Sequence, residues 1–216
     1  MSGGYRLIIG NKNYSSWSFR PWLAMAVAGV PFEETVVPFD EPNHNVHFRE
    51  FSPSLKVPVL QHGEVTIWES LAIMEYIAEL HPEAGLWPRD VTERAKARAV
   101  SHEMHGGFGA LRAECPMNMR RDVREIDVSE ALRKDVARIE AIWAECLEAS
   151  GGPFLFGTFS NADAMYAPVV NRFRVYALSE SDVAASYSEQ IMGLSAWQAW
   201  HEASVEEPWV VEEEEV

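Results

Sequence analysis

Three hydroxyls, Ser15, Ser16 and Ser18, fall within Tyr14-Ser15-Ser16-Trp17-Ser18-Phe19-Arg20-Pro21-Trp22. Pro21 fits among the first helical positions, where its missing N–H breaks no bond, so a helix is expected to start near Ser18. Ser15 and Ser16 then precede a helix N-terminus, which gathers unpaired backbone donors and a positive dipole end. Hydroxyls added there suit an anion, although helix capping alone would also explain them. Glu69-Ser70 makes a second such place, opening an amphipathic stretch from Leu71 to Leu80. Its carboxylate suits an ammonium group and its helix start suits a carboxylate, with capping again the plain alternative. His44 and His47, and likewise His102 and His105, are three apart, but no cysteine or carboxylate completes a ligand set, so no metal is expected.

These residues need elements to position them. Tyr5-Arg6-Leu7-Ile8-Ile9-Gly10 reads as a buried strand, and Trp22 to Ala28 as a helix stopped by Gly29. Pro31 to Pro38 alternates and is β-branched, giving a second strand and a parallel βαβ unit. A short helix is expected around Asn45 to Glu50. Val57 to Trp68 holds two apolar runs bracketing His62-Gly63-Glu64, a hairpin signature. Pro58 removes a ladder donor there, and a cis bond would accommodate it. His81-Pro82 ends the next helix, and Pro82 to Arg89 reads as an ordered linker.

Beyond it the period is helical: Val91 to Leu111, interrupted at Gly106-Gly107, and Ser129 to Ala149, with a stripe of Leu132, Val136, Ile139, Ile142, Trp143 and Leu147. Ser160 with Asp163 forms a capping box, and the acidic tail from Glu206 is expected to be a frayed, solvated end. A mixed α/β half is therefore followed by an all-α half, with domains at 1–82 and 90–216 and a linker at 83–89.

The 216 residues carry a net charge of −15, with 33 acidic against 18 basic residues, which argues against nucleic-acid binding. Cys115 and Cys146 alone make no disulfide framework. No basic-then-apolar leader precedes Tyr5 and no run is long enough to span a membrane, so a cytoplasmic protein is expected.

The βαβ unit, the Val-Pro hairpin, Glu-Ser opening a helix and the helical half with its Ser-x-x-Asp box together resemble the cytosolic glutathione S-transferases. Ser15-Ser16-Trp17-Ser18 followed by Arg20 most resembles the serine motif of the zeta class, which includes maleylacetoacetate isomerases. The resemblance implies a thioredoxin-like N-terminal domain, a helical domain shaping an electrophile pocket, a homodimer, and glutathione as cosubstrate without a metal. It implies that Ser15, or alternatively Ser16, donates a hydrogen bond to the glutathione sulfur. Val57, held by a cis Pro58, would bind the cysteinyl backbone, and Glu69 and Ser70 the γ-glutamyl group. Lys56 and Asn43 are candidates for the glycyl end.

Trp17, Phe108, Leu111, Met117 and Met165 are candidate pocket liners, and Arg112 and Asn118 could offer a charge and an amide to an anionic electrophile. Cys115 lies beside them and reads as a packed small residue. Two departures weaken the isomerase reading: Trp17 stands where the zeta motif has cysteine, and the polar amides usual after the double glycine are replaced from Phe108 onward. Glutathione-dependent cis-trans isomerisation and a non-enzymatic binding module are the alternatives to conjugation.

Overall fold

The computed structural model describes residues 4–39 and 46–216. Its N-terminal half runs β1 (Tyr5–Ile9), α1 (Ser16–Val27), β2 (Phe32–Val36), a 3-10 turn (Val46–Glu50), β3 (Val59–His62), β4 (Val65–Trp68) and α2 (Ser70–Leu80). The sheet order is β2-β1-β3-β4, with β1 parallel to β2 and antiparallel to β3. Leu7 faces Leu60 across β1 and β3, so the apolar run expected to be buried becomes the centre of the sheet. The connection at Gly63, whose φ is +60°, closes β3 onto β4 as the hairpin signature requires. The Val57–Pro58 peptide is cis.

The helical half contains α3 (Val91–Gly106), α4 (Gly109–Glu114), α5 (Glu130–Ser150), α6 (Asn161–Val175), α7 (Asp182–Met192) and α8 (Ser195–Val205). The double glycine separates α3 from α4, as its poor helix propensity predicts. α6 is buried along nearly its whole length and packs on both α1 and α3, so it joins the halves through one apolar core. Its start is fixed by the expected capping box. Asp163 accepts from the Ser160 N–H at 2.9 Å and from the Leu155 N–H at 3.0 Å, and Tyr187 Oη donates to it at 3.1 Å. Complete burial pushes the Asp163 carboxyl up to about 6, against these bonds, which favour the ion.

Two expectations are corrected. α1 begins at Ser16, so Ser15 is its cap and Pro21 lies in its second turn. Arg20 accounts for the early start: its guanidinium donates to the Ser16 carbonyl at 3.1 Å and to the Met165 carbonyl at 3.0 Å, tying the first turn to α6. The acidic tail is docked rather than frayed. Glu207 accepts from the backbone N–H groups of Lys12 and Asn13 at 2.7 and 3.0 Å, and Arg120 donates to the carbonyls of Glu207 and Trp209. Charge-assisted bonds to backbone donors make that contact strong enough to hold a terminal segment.

Candidate active site

The loop between β1 and α1 is pinned from every side before it delivers its serines. Asn11 accepts from the backbone of Phe39 at 2.7 Å, and its carbonyl receives the Ser15 N–H at 2.8 Å. Asn13 donates to Asn118 at 3.0 Å and accepts from the Arg120 N–H at 3.0 Å. A Cβ at Gly10 would stand 2.7 Å from the Phe39 ring and 3.2 Å from Val57, so a side chain there would push that ring aside. The end of β1 can therefore approach the Val57 loop closely.

Ser15 and Ser16 are both buried, at 4% and 5% exposure. Ser15 Oγ donates to Ser18 Oγ at 2.7 Å, and Ser18 Oγ also accepts the Gly10 N–H at 3.1 Å. Ser16 Oγ makes no hydrogen bond among the described residues. A hydroxyl proton rotates freely, so the Ser15–Ser18 bond can run in either direction. Reversed, Ser18 donates to Ser15 and frees the Ser15 proton for an outside acceptor.

A crevice of about 260 Å³ is lined by Trp17, Ser54, Lys56, Val57, Pro58, Glu69, Ser70 and His105. A hollow of about 410 Å³ lies between α5 and α7, away from the serine loop. The smaller crevice is the better candidate because it gathers four sequence-distant segments at a helix N-terminus. Six of the residues expected at the site line it, whereas Ser15 and Ser16 are not among its lining residues. Ser70 is 1% exposed and its Oγ has no partner among the described residues. Val57 makes no backbone hydrogen bond to another described residue. Glu69 holds φ at +82°, a strained backbone for a residue with a Cβ, and such strain gathers at functional sites. Its carboxylate lies 3.0 Å from His105 Nε2.

Trp17, the residue after Ser16 in α1, lines the crevice. The guanidinium carbons of Arg20 and Arg112 sit 4.5 and 4.6 Å from its ring centroid, and the His105 ring packs edge-on at 5.1 Å. Burial lowers the pKa of Arg20, and repulsion from Arg112 and Arg172 lowers it further. None of these three arginines makes an ion pair among the described residues. Two guanidinium groups, Arg20 and Arg112, thus stand against Trp17 in a chain that is acidic as a whole.

The remaining expected residues fall elsewhere. Arg112 donates to the carbonyls of Gly107 and Met104, so its head group serves as a clamp on the turn into α4. Phe108 caps that helix at φ +59° and is 7% exposed. Asn118 is 1% exposed and holds Asn13 and the Arg120 N–H. Cys115 is fully enclosed, and burial pushes its thiol up to about 12. Asn43 and His44 lie outside the described residues. Sequence reasoning missed Ser54 and gave His105 only a metal-pairing role. The one available signal for His105 was its place in the last turn of a helix before a double glycine.

Residues 14–80 match the glutathione S-transferase N-terminal domain and residues 126–203 match the corresponding C-terminal domain. The chain is 28% identical to maleylacetoacetate isomerase of Rattus norvegicus over 196 residues, covering 87% of this chain and 88% of the relative. It is 39% identical to a probable maleylacetoacetate isomerase of Caenorhabditis elegans over 97 residues, 45% of each chain. Among solved structures, a glutathione transferase homolog from Burkholderia with bound glutathione superposes with a TM-score of 0.73 at 22% identity, covering 93% of this chain and 98% of that one. Maleylacetoacetate isomerase from Anaeromyxobacter dehalogenans gives 0.69 at 24%, covering 96% and 94%. These likenesses concern the fold.

Proposed function

This chain belongs to the glutathione S-transferase family, and from that premise we propose that it binds glutathione in the crevice and activates its thiol with Ser15 for attack on a small electrophile. The observation that carries the reading is the convergence of Val57, Glu69, Ser70 and Trp17 on one crevice, with Trp17 directly following the buried Ser15 and Ser16 in the chain. Glu69 receives the γ-glutamyl ammonium. Ser70 Oγ and the α2 N-terminus receive the γ-glutamyl carboxylate. The backbone groups of Val57 pair with the cysteinyl unit, and Lys56 and Ser54 stand at the glycyl end.

The activation can be sized. A thiol with pKa about 8.5 is only about 3% thiolate at pH 7, and the thiolate is the nucleophile. Lowering that pKa by about two units takes roughly 2.7 kcal/mol. One charge-assisted hydrogen bond supplies about 1.5–3 kcal/mol and a helix N-terminus about 0.3–1. Ser15 gives the bond by turning its proton from Ser18 to the sulfur, while Ser18 donates back to Ser15 and the Gly10 N–H steadies Ser18. The serine acts as a donor and keeps its proton, so no adjacent base is required. Arg20, on the Ser16 carbonyl, adds positive potential.

The thiolate then forms a C–S bond as the leaving group departs with its electrons. The rate gain comes from holding the two reactants together. In this reading residues 1–82 hold the peptide, residues 90–216 supply the electrophile side of the site, and the protein works as a homodimer.

The test is glutathione-dependent conjugation of chlorodinitrobenzene: turnover that requires glutathione and falls with Ser15→Ala supports the reading, and none overturns it. A second reading, reversible addition of the same thiolate for cis-trans isomerisation, is favoured by the isomerase relatives aligned over most of the chain. Isomerisation of maleylacetone without consumption of glutathione would select it.

A further inference from the structure

His105 reaches the crevice from the last turn of α3, an element of the helical half, and touches the carboxylate assigned above to the γ-glutamyl ammonium. A carboxylate only accepts, so Nε2 carries the proton in the 3.0 Å contact with Glu69. Nδ1 is buried without a partner among the described residues. An imidazolium there would bury an N–H donor with no acceptor, whereas neutral imidazole leaves only a lone pair. The ring packs on Trp17, so it cannot swing away without breaking the aromatic contact at 5.1 Å.

We infer that neutral His105 positions Glu69 for the ammonium group of the bound peptide, and that protonating His105 weakens that site. This rests on the proposed glutathione reading and goes beyond it by assigning a residue outside the matching motifs. A neutral donor fixes the carboxylate while leaving its full negative charge to the ligand. A protonated ring would form an ion pair with Glu69 and compete with the ammonium.

The charged and titratable groups facing the ring are Glu69 from the start of α2, Arg20 from α1, Arg112 from α4 and His102 from its own helix. Burial lowers the His105 pKa first. Glu69 opposes this, and Arg20, Arg112 and His102 reinforce it, so the ring stays neutral at pH 7. The unpaired arginines around Trp17 thus keep the Glu69 charge available for the ligand. By linkage, the bound ammonium must in turn lower the His105 pKa.

The experiment titrates S-methylglutathione, which has no ionisable thiol, against the intact protein across the pH range below neutrality. Wild type should lose affinity as pH falls through the titration of His105, below the ordinary histidine value of about 6.5. His105→Gln keeps an N–H donor that never ionises, and should bind like wild type at pH 7 without the decline that follows His105. His105→Ala should bind roughly tenfold more weakly at pH 7, the loss of one hydrogen bond to a charged group, with kcat little changed. An S-methyl peptide lacking the γ-glutamyl amine should show no His105-dependent decline.

A His105→Gln profile that declines as wild type does would overturn the inference, as would an equal decline for the amine-free peptide. If wild type binds S-methylglutathione at no pH, the glutathione reading fails, and the positioning role falls with it.

Discussion

Replacing Ser15 by Ala tests the thiol chemistry at a single atom. The hydroxyl accepts the Ser18 N–H at 3.4 Å and shares its proton with Ser18 Oγ at 2.7 Å, so alanine removes a helix cap and, in the proposed reading, the sulfur's donor together. Losing the cap costs about 0.5–2 kcal/mol of stability, which denaturation measures separately. Losing the donor costs the thiolate about 1.5–3 kcal/mol, or about one to two pKa units. A bound thiol near pKa 6.5 is about three-quarters ionised at pH 7, and one returned to 8.5 is about 3% ionised. The readout is the ultraviolet absorbance of enzyme-bound glutathione thiolate against pH. Ser15→Ala should move the midpoint up by one to two units, and Ser18→Ala, which leaves Ser15 without its supporting hydroxyl, by less than one. A midpoint unmoved by Ser15→Ala but abolished by Ser16→Ala would assign the donor to Ser16. A wild-type midpoint at the free-thiol value would refute serine activation altogether.

Three further perturbations check other parts of the account. Asp163→Ala should destabilise by about 3–5 kcal/mol in urea unfolding, because it strands the Leu155 and Ser160 N–H groups and two hydroxyls in the core. Since the Asp163 pKa rises to about 6 on folding, the native state binds the extra proton between pH about 4 and 6, and wild-type stability in that window should fall with rising pH relative to Asp163→Asn. Cys115 and Cys146, with thiols pushed up to about 12 and about 11, should resist alkylation at pH 7 until the protein is unfolded, as mass spectrometry would show. Glu207→Ala should lower kcat/KM about two- to tenfold, with little loss of thermal stability, by releasing the Lys12 and Asn13 N–H groups that steady the serine loop.

What could be read in advance follows physical range. The strands, the hairpin, the helices over Val91–Gly106 and Glu130–Ser150 and the capping box express local rules and stand where periodicity, Gly63, the double glycine and Ser160 put them, whereas α7 and α8 were not foreseen. The start of α1 was misplaced because Pro21 was weighed alone, while the decisive contact comes from Arg20 reaching the Met165 carbonyl 145 positions away. The tail was misread because its charge suggested solvation. Two of its carboxylates, Glu207 and Glu215, instead find the backbone donors of Lys12 and Asn13 and the Arg120 guanidinium. The crevice was half legible: Val57, Glu69 and Ser70 lie at turns and a helix start that carry chemical signatures, whereas His105 gains its role only when α3 brings it to Glu69. The second-substrate side was least legible, because apolar helix spacing reads the same for a core as for a pocket.

The central claim, that the crevice is a glutathione site organised around Glu69, is tested most directly by calorimetric titration of glutathione into wild type and Glu69→Gln. One molecule bound per chain, with affinity reduced tenfold or more by the substitution, is the predicted result. No saturable binding to wild type, or equal affinity for both proteins, would contradict it.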